Sequence, residues 1–251
     1  MSRPSAVAFV PARSGSERVR NKNVRVLAGH PLLAYAIETA RQSGCFDRVV
    51  VSTDSEEIAE VARWYGADVP FLRPAAYATS TSPDIEWLTY TLEQLGERYD
   101  VFALIRATNP FRGPDVVRRG MARLLAIPEA DSIRAVERVK QHPGKMWLLA
   151  DDGRTMSPLL DQSDLEVAWH AGQYQALPPV YSQNSALEIA WARVVTETGT
   201  REGEVLAPFL TEGLEGFNVD DEEDWEQAER LVARGEATLT EIGRAPYPPA
   251  T

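Results

Sequence analysis

Short apolar runs alternate with amphipathic helical patterns along this chain, and the alternation limits the folds open to it. Four apolar runs read as buried strands, at residues 6–10, 48–52, 101–106 and 132–136. Helical periodicity lies between them, at residues 32–43, 55–66, 84–98 and 114–126. Consecutive strand and helix units give parallel strands joined by right-handed crossovers. The sequence therefore predicts an α/β fold with a largely parallel sheet.

The pattern breaks at residues 147–183, where aspartates, prolines and scattered aromatic residues replace regular periodicity. A stretch of this length without elements of its own is usually functional or covered by another chain, so we interpret it as an arm that packs on a second subunit. The sheet is predicted to resume at residues 187–195, and a last helix is predicted at 225–235. Proline-rich residues 244–251 read as a tail. We expect one domain over residues 1–251.

Charge and cysteine content exclude several classes of protein. The net charge of −11 argues against nucleic-acid binding, which needs a basic face. The single cysteine, Cys45, excludes an intramolecular disulfide, and the three histidines lack the spacing of metal ligands. No apolar stretch approaches the roughly 20 residues of a membrane helix, and the first apolar run is too short for a signal peptide. We therefore expect a cytoplasmic protein that does not bind membranes.

Residues 11–23 concentrate positive charge directly after the first strand. Gly15 lies between Ser14 and Ser16, and the loop carries the cations Arg13, Arg18, Arg20 and Lys22. Small residues let the backbone approach a polyphosphate closely, and the cations supply charge and hydrogen-bond donors. The loop lacks the glycine pattern of a P-loop or of a dinucleotide-binding turn. A solvated basic loop without a ligand is the alternative interpretation.

This segment, PARSGSERVRNKN, resembles the N-terminal signature of the CMP-sialic acid synthetase family, the acylneuraminate cytidylyltransferases. The resemblance continues through further segments, at residues 50–57, 73–82, 105–112, 139–145 and 183–189. It implies a three-layer, Rossmann-like fold of the nucleotide-diphospho-sugar transferase type, with a dimerisation arm. It also implies a homodimeric enzyme that transfers CMP from CTP to a sialic-acid-like 2-keto sugar acid and releases pyrophosphate, with Mg²⁺ as its cofactor.

The same resemblance assigns site residues. Those implied for the nucleotide are Ala12, Arg13, Ser14, Gly15, Ser16, Arg18, Lys22, Asn23, Arg73 and Ser82. Among them, Arg13, Arg18 and Lys22 are implied to hold the β- and γ-phosphates and to act in catalysis. Those implied for a small anionic acceptor are Arg106, Thr108, Lys145, Gln183, Asn184 and Glu188. Several residues depart from the family pattern: Glu17 replaces a lysine, Arg106 a glutamine and Glu188 a common tyrosine, while Ser80 and Asn218 replace aspartates and Asn109 a serine.

The acidic segment at residues 217–225 resembles the family motif D-I-D-x-x-x-D, whose paired carboxylates hold magnesium against the triphosphate. Alternation along a strand would place Asn218 and Asp220 on one face, so we expect both to bind the ion and Asp220 to be catalytic. Acidic residues at this position could instead cap the following helix. We favour metal binding for Asp220 and capping for Asp224.

Two other functions stay open. The first is a cytidylyltransferase whose acceptor carries a phosphate or phosphonate group, which the extra charge of Arg106 favours. The second is a protein that binds a nucleotide without turnover. Asn218 and Glu17 favour this second alternative, because they remove a metal-binding charge and a phosphate contact.

Overall fold

Helices and strands alternate along the chain as the sequence predicts. The computed structural model describes residues 3–15 and 18–248. In chain order its elements are β1 (Ala6–Pro11), β2 (Val26–Leu27), β3 (His30–Pro31), α1 (Leu32–Ser43), β4 (Arg48–Ser52), α2 (Glu56–Trp64), α3 (Asp84–Leu95), β5 (Val101–Leu104), α4 (Pro114–Leu125), β6 (Ser132–Arg138), β7 (Trp147–Leu149), β8 (Met156–Pro158), β9 (Tyr181–Trp191), α5 (Arg193–Thr198), β10 (Leu206–Leu210) and α6 (Glu222–Ala233). None of the described helices is long and apolar enough to cross a bilayer.

Six of the described strands form one sheet, in the order β10-β6-β9-β5-β1-β4. Strand β1 lies between β5 and β4 and runs parallel to both, in a register that pairs Phe9 with Leu104 and with Val50. Strand β9 runs antiparallel to β5. The sheet is mostly parallel, which confirms the predicted fold class. Because β1, β4 and β5 are parallel, the loops that follow them leave the sheet at the same edge.

Both faces of the sheet are buried, as the side chains of β1 show. Ala8 and Val10 belong to a hydrophobic core that includes residues of α1, α2, α4 and α6. Val7 and Phe9 belong to a second core, in which Phe9 packs edge-on against Trp87 of α3. Alternate residues of a strand face opposite sides, so a continuously apolar strand needs helices on both faces. The three layers of the predicted fold follow from this requirement.

The largest difference from the predicted strand boundaries concerns β9. The strand predicted at residues 187–195 begins earlier, at Tyr181, and ends at Trp191. Its first three residues are exposed, so they carry no apolar signal from which the strand could be predicted. Val195, predicted as part of the strand, lies in α5.

The contacts divide the chain into two compact units. The first contains the residues up to Ala135 and those from Asn184 onward, and the second is Val136–Gln183. Within the second unit, β7 and β8 form a two-stranded antiparallel sheet, so residues 147–183 contain regular structure that their sequence did not indicate. The dimerisation arm and the single domain over residues 1–251 stay predictions.

The predicted tail is docked as far as the structure describes it. The Tyr247 amide donates to the Tyr65 hydroxyl at 2.9 Å, and the Trp64 indole nitrogen donates to the Ala245 carbonyl at 3.0 Å. The ring of Tyr247 packs edge-on against that of Trp64. These contacts hold the tail against the end of α2.

Candidate active site

A cavity of about 360 Å³ lies where the parallel strands β1 and β5 end. Pro11 is the last residue of β1, and Arg106 and Thr108 follow β5. Ligands of open parallel sheets bind at this edge. Besides Pro11, the wall contains eight predicted site residues, Arg13, Arg18, Lys22, Arg73, Ser82, Arg106, Thr108 and Asp220. It is completed by residues without a predicted role, Val19, Tyr77, Thr79, Ser80, Asp84 and Trp87.

Residues at the end of β4 fix the loop that follows β1. The Ala12 amide donates to the Ser52 carbonyl at 3.0 Å. The Ser14 amide donates to the Asp54 carboxylate at 2.7 Å, and the Ser14 hydroxyl donates to the same carboxylate. Gly15 has a φ of 68°, in the left-handed region that glycine adopts without strain. Asp54 therefore holds the small-residue turn in shape beside the cavity.

Lys22 and Asn23 brace the other side of the same loop. Asn23 is buried, and its Nδ2 donates to the Arg13 carbonyl at 3.0 Å. Lys22 Nζ donates to the Val219 carbonyl at 2.8 Å. Burial lowers the pKa of Lys22, and the nearby Asp220 opposes this shift without cancelling it. Lys22 therefore connects residues 11–23, which we call the phosphate loop after their predicted role, to the acidic segment at residues 217–225.

Asp220 lies on the cavity wall, whereas its acidic neighbours cap α6. The Asp221 side chain accepts from the Asp224 amide at 3.0 Å. The Asp224 side chain in turn accepts from the Asp220 and Asp221 amides at 2.8 and 3.2 Å. This capping box starts α6 at Glu222, ahead of the predicted start at residue 225. The capping role expected of Asp224 is confirmed.

The expected pairing of Asn218 with Asp220 along a strand does not occur, because residues 217–220 are not in a strand. Asn218 Oδ1 accepts a hydrogen bond of 3.0 Å from the Ser185 hydroxyl, and Asn218 does not line the cavity. The described part of the chain contains no group of three His, Cys, Asp or Glu side chains that could hold a metal. Magnesium is commonly held by one or two carboxylates together with substrate phosphates. Asp220, on a cavity lined by cations, fits that ion in the presence of a triphosphate.

Arg73 and Ser82, both predicted for the nucleotide, are held in fixed orientations. Arg73 Nε donates to the Ser52 hydroxyl at 3.0 Å, and its Nη2 donates to the Ser52 carbonyl at 2.7 Å. The guanidinium lies 4.7 Å from the centre of the Trp87 ring, within cation–π range. Burial lowers the pKa of Arg73 to about 10, so the group is charged at neutral pH. The Ser82 hydroxyl donates to the Ala76 carbonyl at 3.1 Å and shapes its own loop.

Arg106 reaches the cavity from the loop after β5 and is held by two carboxylates. Its Nη2 contacts Asp84 Oδ2 and lies 3.6 Å from Glu188 Oε1. Burial acts against the charged form of Arg106, but Asp84 and Glu188 outweigh it and raise the pKa. Burial likewise acts against ionised Asp84, yet Arg106 and its other partners lower the pKa of that carboxyl. Arg106 Nε and Nη1 make no hydrogen bond with the described residues.

Further charged residues, which the sequence analysis did not single out, pair with Asp84 and Glu188. Arg201 Nη1 lies 2.7 Å from Asp84 Oδ2 and 3.0 Å from Glu188 Oε2. Arg134 Nη2 lies 3.2 Å from Glu188 Oε2. Glu202 Oε2 lies 3.6 Å from a guanidinium nitrogen of Arg201 and of Arg134. We call the six residues the ion cluster: Asp84, Arg106, Arg134, Glu188, Arg201 and Glu202.

Of the predicted residues that the structure describes, the others do not line this cavity. Asn184 Nδ2 donates to a threonine hydroxyl at 2.9 Å. Lys145 and Gln183 belong to the second unit, where Lys145 Nζ donates to two backbone carbonyls. Ser16 and the neighbouring Glu17 lie outside the described residues. The roles proposed for these residues from the sequence stay predictions.

Comparison with known proteins gives a consistent picture. A family model described as Cytidylyltransferase matches residues 7–231. The CMP-N,N'-diacetyllegionaminic acid synthase of Legionella pneumophila is 34% identical over 237 residues, which cover 93% of this chain and 98% of that protein. The N-acylneuraminate cytidylyltransferase of Escherichia coli is 32% identical over 227 residues, which cover 90% of this chain and 52% of that protein.

Solved structures share the fold. A structure of CMP:2-keto-3-deoxy-manno-octonic acid synthetase, complexed with CTP, has a TM-score of 0.68 at 14% identity, and the match covers 92% of this chain and 99% of that one. Likeness at so low an identity concerns the fold alone. It agrees with the three-layer, Rossmann-like architecture described above.

Proposed function

This chain belongs to the cytidylyltransferase family, and we propose that it transfers CMP from CTP to a nonulosonic acid, a nine-carbon 2-keto sugar acid, with release of pyrophosphate. One observation carries the proposal: cations of the N-terminal loop, the Asp220 carboxylate and Arg106 line a single cavity. This set suits a triphosphate and an anionic acceptor bound side by side.

The proposed reaction is a displacement at phosphorus. A hydroxyl oxygen of the acceptor, whose proton passes to solvent, forms a bond to the α-phosphorus of CTP, and the bond from that phosphorus to the bridging oxygen of pyrophosphate breaks. Arg13, Arg18 and Lys22 bind the β- and γ-phosphates and stabilise the charge that develops on the leaving pyrophosphate. Arg73 and Ser82 hold the cytidine. Positioning and electrostatic stabilisation supply most of the acceleration in phosphoryl chemistry of this kind.

We propose Mg²⁺ as the cofactor, held by Asp220 together with the phosphates of CTP. When bound, such an ion neutralises phosphate charge and polarises the reacting phosphoryl group. Asn218 accepts a hydrogen bond from Ser185 and does not line the cavity, so the proposal does not include Asn218 as a ligand.

The environment of Arg106 favours a carboxylate on the acceptor over a phosphate or phosphonate. The Arg106 guanidinium contacts Asp84, and Glu188 lies 3.6 Å away. Arg106 belongs to an ion cluster of three arginines and three carboxylates, so it does not give the site the excess positive charge for which the sequence alone favoured a phosphate acceptor. A singly charged group therefore suits the site better than a dianion.

We further propose that the protein acts in the cytoplasm as a homodimer joined through its second unit. Apolar side chains of the β7–β8 sheet support this, since Leu148 is 54%, Leu149 72% and Met156 56% exposed. Clustered apolar surface of this kind marks interfaces. Light scattering of the purified protein should give twice the chain mass, and a monomer would contradict the proposal.

The activity is tested with purified protein, CTP and MgCl₂. Separate reactions contain N,N'-diacetyllegionaminic acid, N-acetylneuraminic acid, sugar phosphates or phosphonates, and the measured quantity is pyrophosphate. We expect magnesium-dependent release with at least one of the two sugar acids. Release with phosphate or phosphonate acceptors alone would reject the proposed acceptor class. CTP binding without release in every reaction would favour a nucleotide-binding protein without turnover.

A further inference from the structure

We propose that Arg201 is a positioning residue that sets the affinity for the acceptor. It neutralises the Asp84 and Glu188 carboxylates, so that Arg106 remains available to bind the carboxylate of the acceptor. The inference rests on the proposed function and extends it to a residue outside the cavity wall. Arg201 does not line the cavity, so it acts through Arg106 rather than on the substrate.

The first support is the shared geometry of the two guanidinium groups. Asp84 Oδ2 is contacted by Arg106 Nη2 and, at 2.7 Å, by Arg201 Nη1. Glu188 lies 3.0 Å from Arg201 and 3.6 Å from Arg106. Glu188 is therefore nearer to Arg201 than to Arg106, and Asp84 contacts both guanidinium groups, so Arg201 takes a large share of the charge of the two carboxylates.

The second support is charge balance. The ion cluster contains three arginines and three carboxylates, so it is neutral when every member is ionised. Without Arg201 it carries one net negative charge next to Arg106. Two carboxylates would then compete for the Arg106 guanidinium, and the excess charge would repel an anionic acceptor at short range. The phosphate loop lies outside the ion cluster, so CTP should be affected less.

The third support is the rigidity of the loop that carries Arg201. Gly203 has a φ of 75°, and a Cβ added there would lie 2.5 Å from Asp131 Cβ. The Asp131 carboxylate accepts from the Glu204 and Val205 amides at 2.9 and 3.1 Å. A long side chain that is anchored on a pinned loop and held by two carboxylates is suited to a positioning role.

The test compares Arg201→Met with Arg201→Lys and with a matched control. Arg48→Met is that control, since Arg48 is 25% exposed, against 21% for Arg201, and also pairs with two carboxylates, Asp68 and Glu97. KM for CTP, KM for the acceptor and kcat are measured by pyrophosphate release, with whichever of N,N'-diacetyllegionaminic acid and N-acetylneuraminic acid the wild type uses better. Circular dichroism and thermal unfolding check the fold of each variant.

We expect Arg201→Met to raise the acceptor KM at least about tenfold, while the KM for CTP changes less than about twofold. Arg201→Lys, which keeps the charge, should lie between the wild type and Arg201→Met, and Arg48→Met should match the wild type. The double variant Arg201→Met with Glu188→Gln restores neutrality and should recover most of the acceptor KM. This double variant also keeps the test decisive if Arg201→Met alone folds poorly.

Two outcomes would overturn the inference. One is a parallel rise of both KM values, or a fall in stability without a change in acceptor KM, which would leave Arg201 a structural role only. The other is an acceptor KM in the double variant no better than in Arg201→Met. A wild type that releases no pyrophosphate with either acid would instead refute the proposed function, and this inference with it.

Discussion

The Lys22 ammonium group donates to the Val219 carbonyl at 2.8 Å, and so joins the phosphate loop to the residue that precedes Asp220. The Val219 amide in turn donates to the Thr108 carbonyl at 2.8 Å. Three segments far apart in the sequence are therefore fixed around one part of the cavity. The cation proposed for the phosphates and the carboxylate proposed for the metal thus keep a constant relation to each other.

Replacement of Asp220 by asparagine should abolish turnover. The change removes the carboxylate proposed to hold the metal while it preserves shape, and the loss of such an electrostatic group typically costs about 10² to 10³ in kcat. Pyrophosphate release measured across a magnesium titration checks this, with Glu223→Gln, an exposed carboxylate in the first turn of α6, as the matched control. Equal activity of the two variants would remove Asp220 from the site.

As the pH rises, binding of CTP should begin to weaken at a lower pH than it would if Lys22 had the ordinary lysine pKa of about 10.4. Burial lowers the pKa of Lys22 in the free protein, so deprotonation, which removes the charge that attracts the triphosphate, begins at lower pH. The Kd for CTP is measured by calorimetry between about pH 7 and about pH 9.5, below the pKa of about 10 of Arg73. Lys22→Arg should bind CTP with a flat profile over this range. A flat profile for the wild type would contradict the prediction.

The two arginines that follow the glycine turn should differ in their effect on nucleotide binding. Both are exposed, but Arg18 lines the cavity and Arg20 does not. Arg18→Ala should therefore weaken CTP about tenfold or more, and CMP less, because the lost contact is to the outer phosphates. Arg20→Ala should change the Kd of either nucleotide by less than about twofold. Calorimetric titrations with both nucleotides would disprove the assignment if the two variants behaved alike.

Alanine at Gly203 should destabilise the protein more than alanine at Gly199. Both glycines have positive φ, 75° and 64°, but only at Gly203 would a Cβ meet another residue, Asp131. We expect Gly199→Ala to lower the free energy of unfolding by about 1 to 2 kcal/mol, and Gly203→Ala by about 2 to 4 kcal/mol because overpacking adds to the backbone cost. Urea unfolding of both variants measures the difference. Equal losses would show that the Gly203 loop adapts without strain.

Much of the fold follows from local sequence, because its central strands are apolar on both faces and its helices carry recognisable caps. Ser55 caps α2 and accepts from the Ile58 amide, as its position before two glutamates predicts. Strand β10 had no such signal, since only Ala207 and Phe209 of its five residues are buried. The exposed start of β9 escaped prediction for the same reason. Edges and exposed ends of a sheet depend on pairing partners that lie far away in the sequence.

Some residues of the candidate site could be predicted from the local sequence, and others could not. Arg13, Lys22 and Asp220 lie in short segments whose composition is unusual for an acidic chain, and the structure places all three on one wall. Arg201 follows a short helix and has no distinguishing neighbours, although it lies 2.7 Å from Asp84. Its importance comes from a tertiary ion pair between residues 117 positions apart, which no local pattern encodes.

The wall of the cavity extends along the sequence from Pro11 to Asp220, and this has a consequence for the chain during its synthesis. The ribosome synthesises the phosphate loop early, and it synthesises Val219, whose carbonyl accepts from Lys22, much later. A growing chain therefore displays its cations long before the partner that orients them has emerged. Because a ligand stabilises only the state that binds it, CTP favours finished molecules over partly made ones.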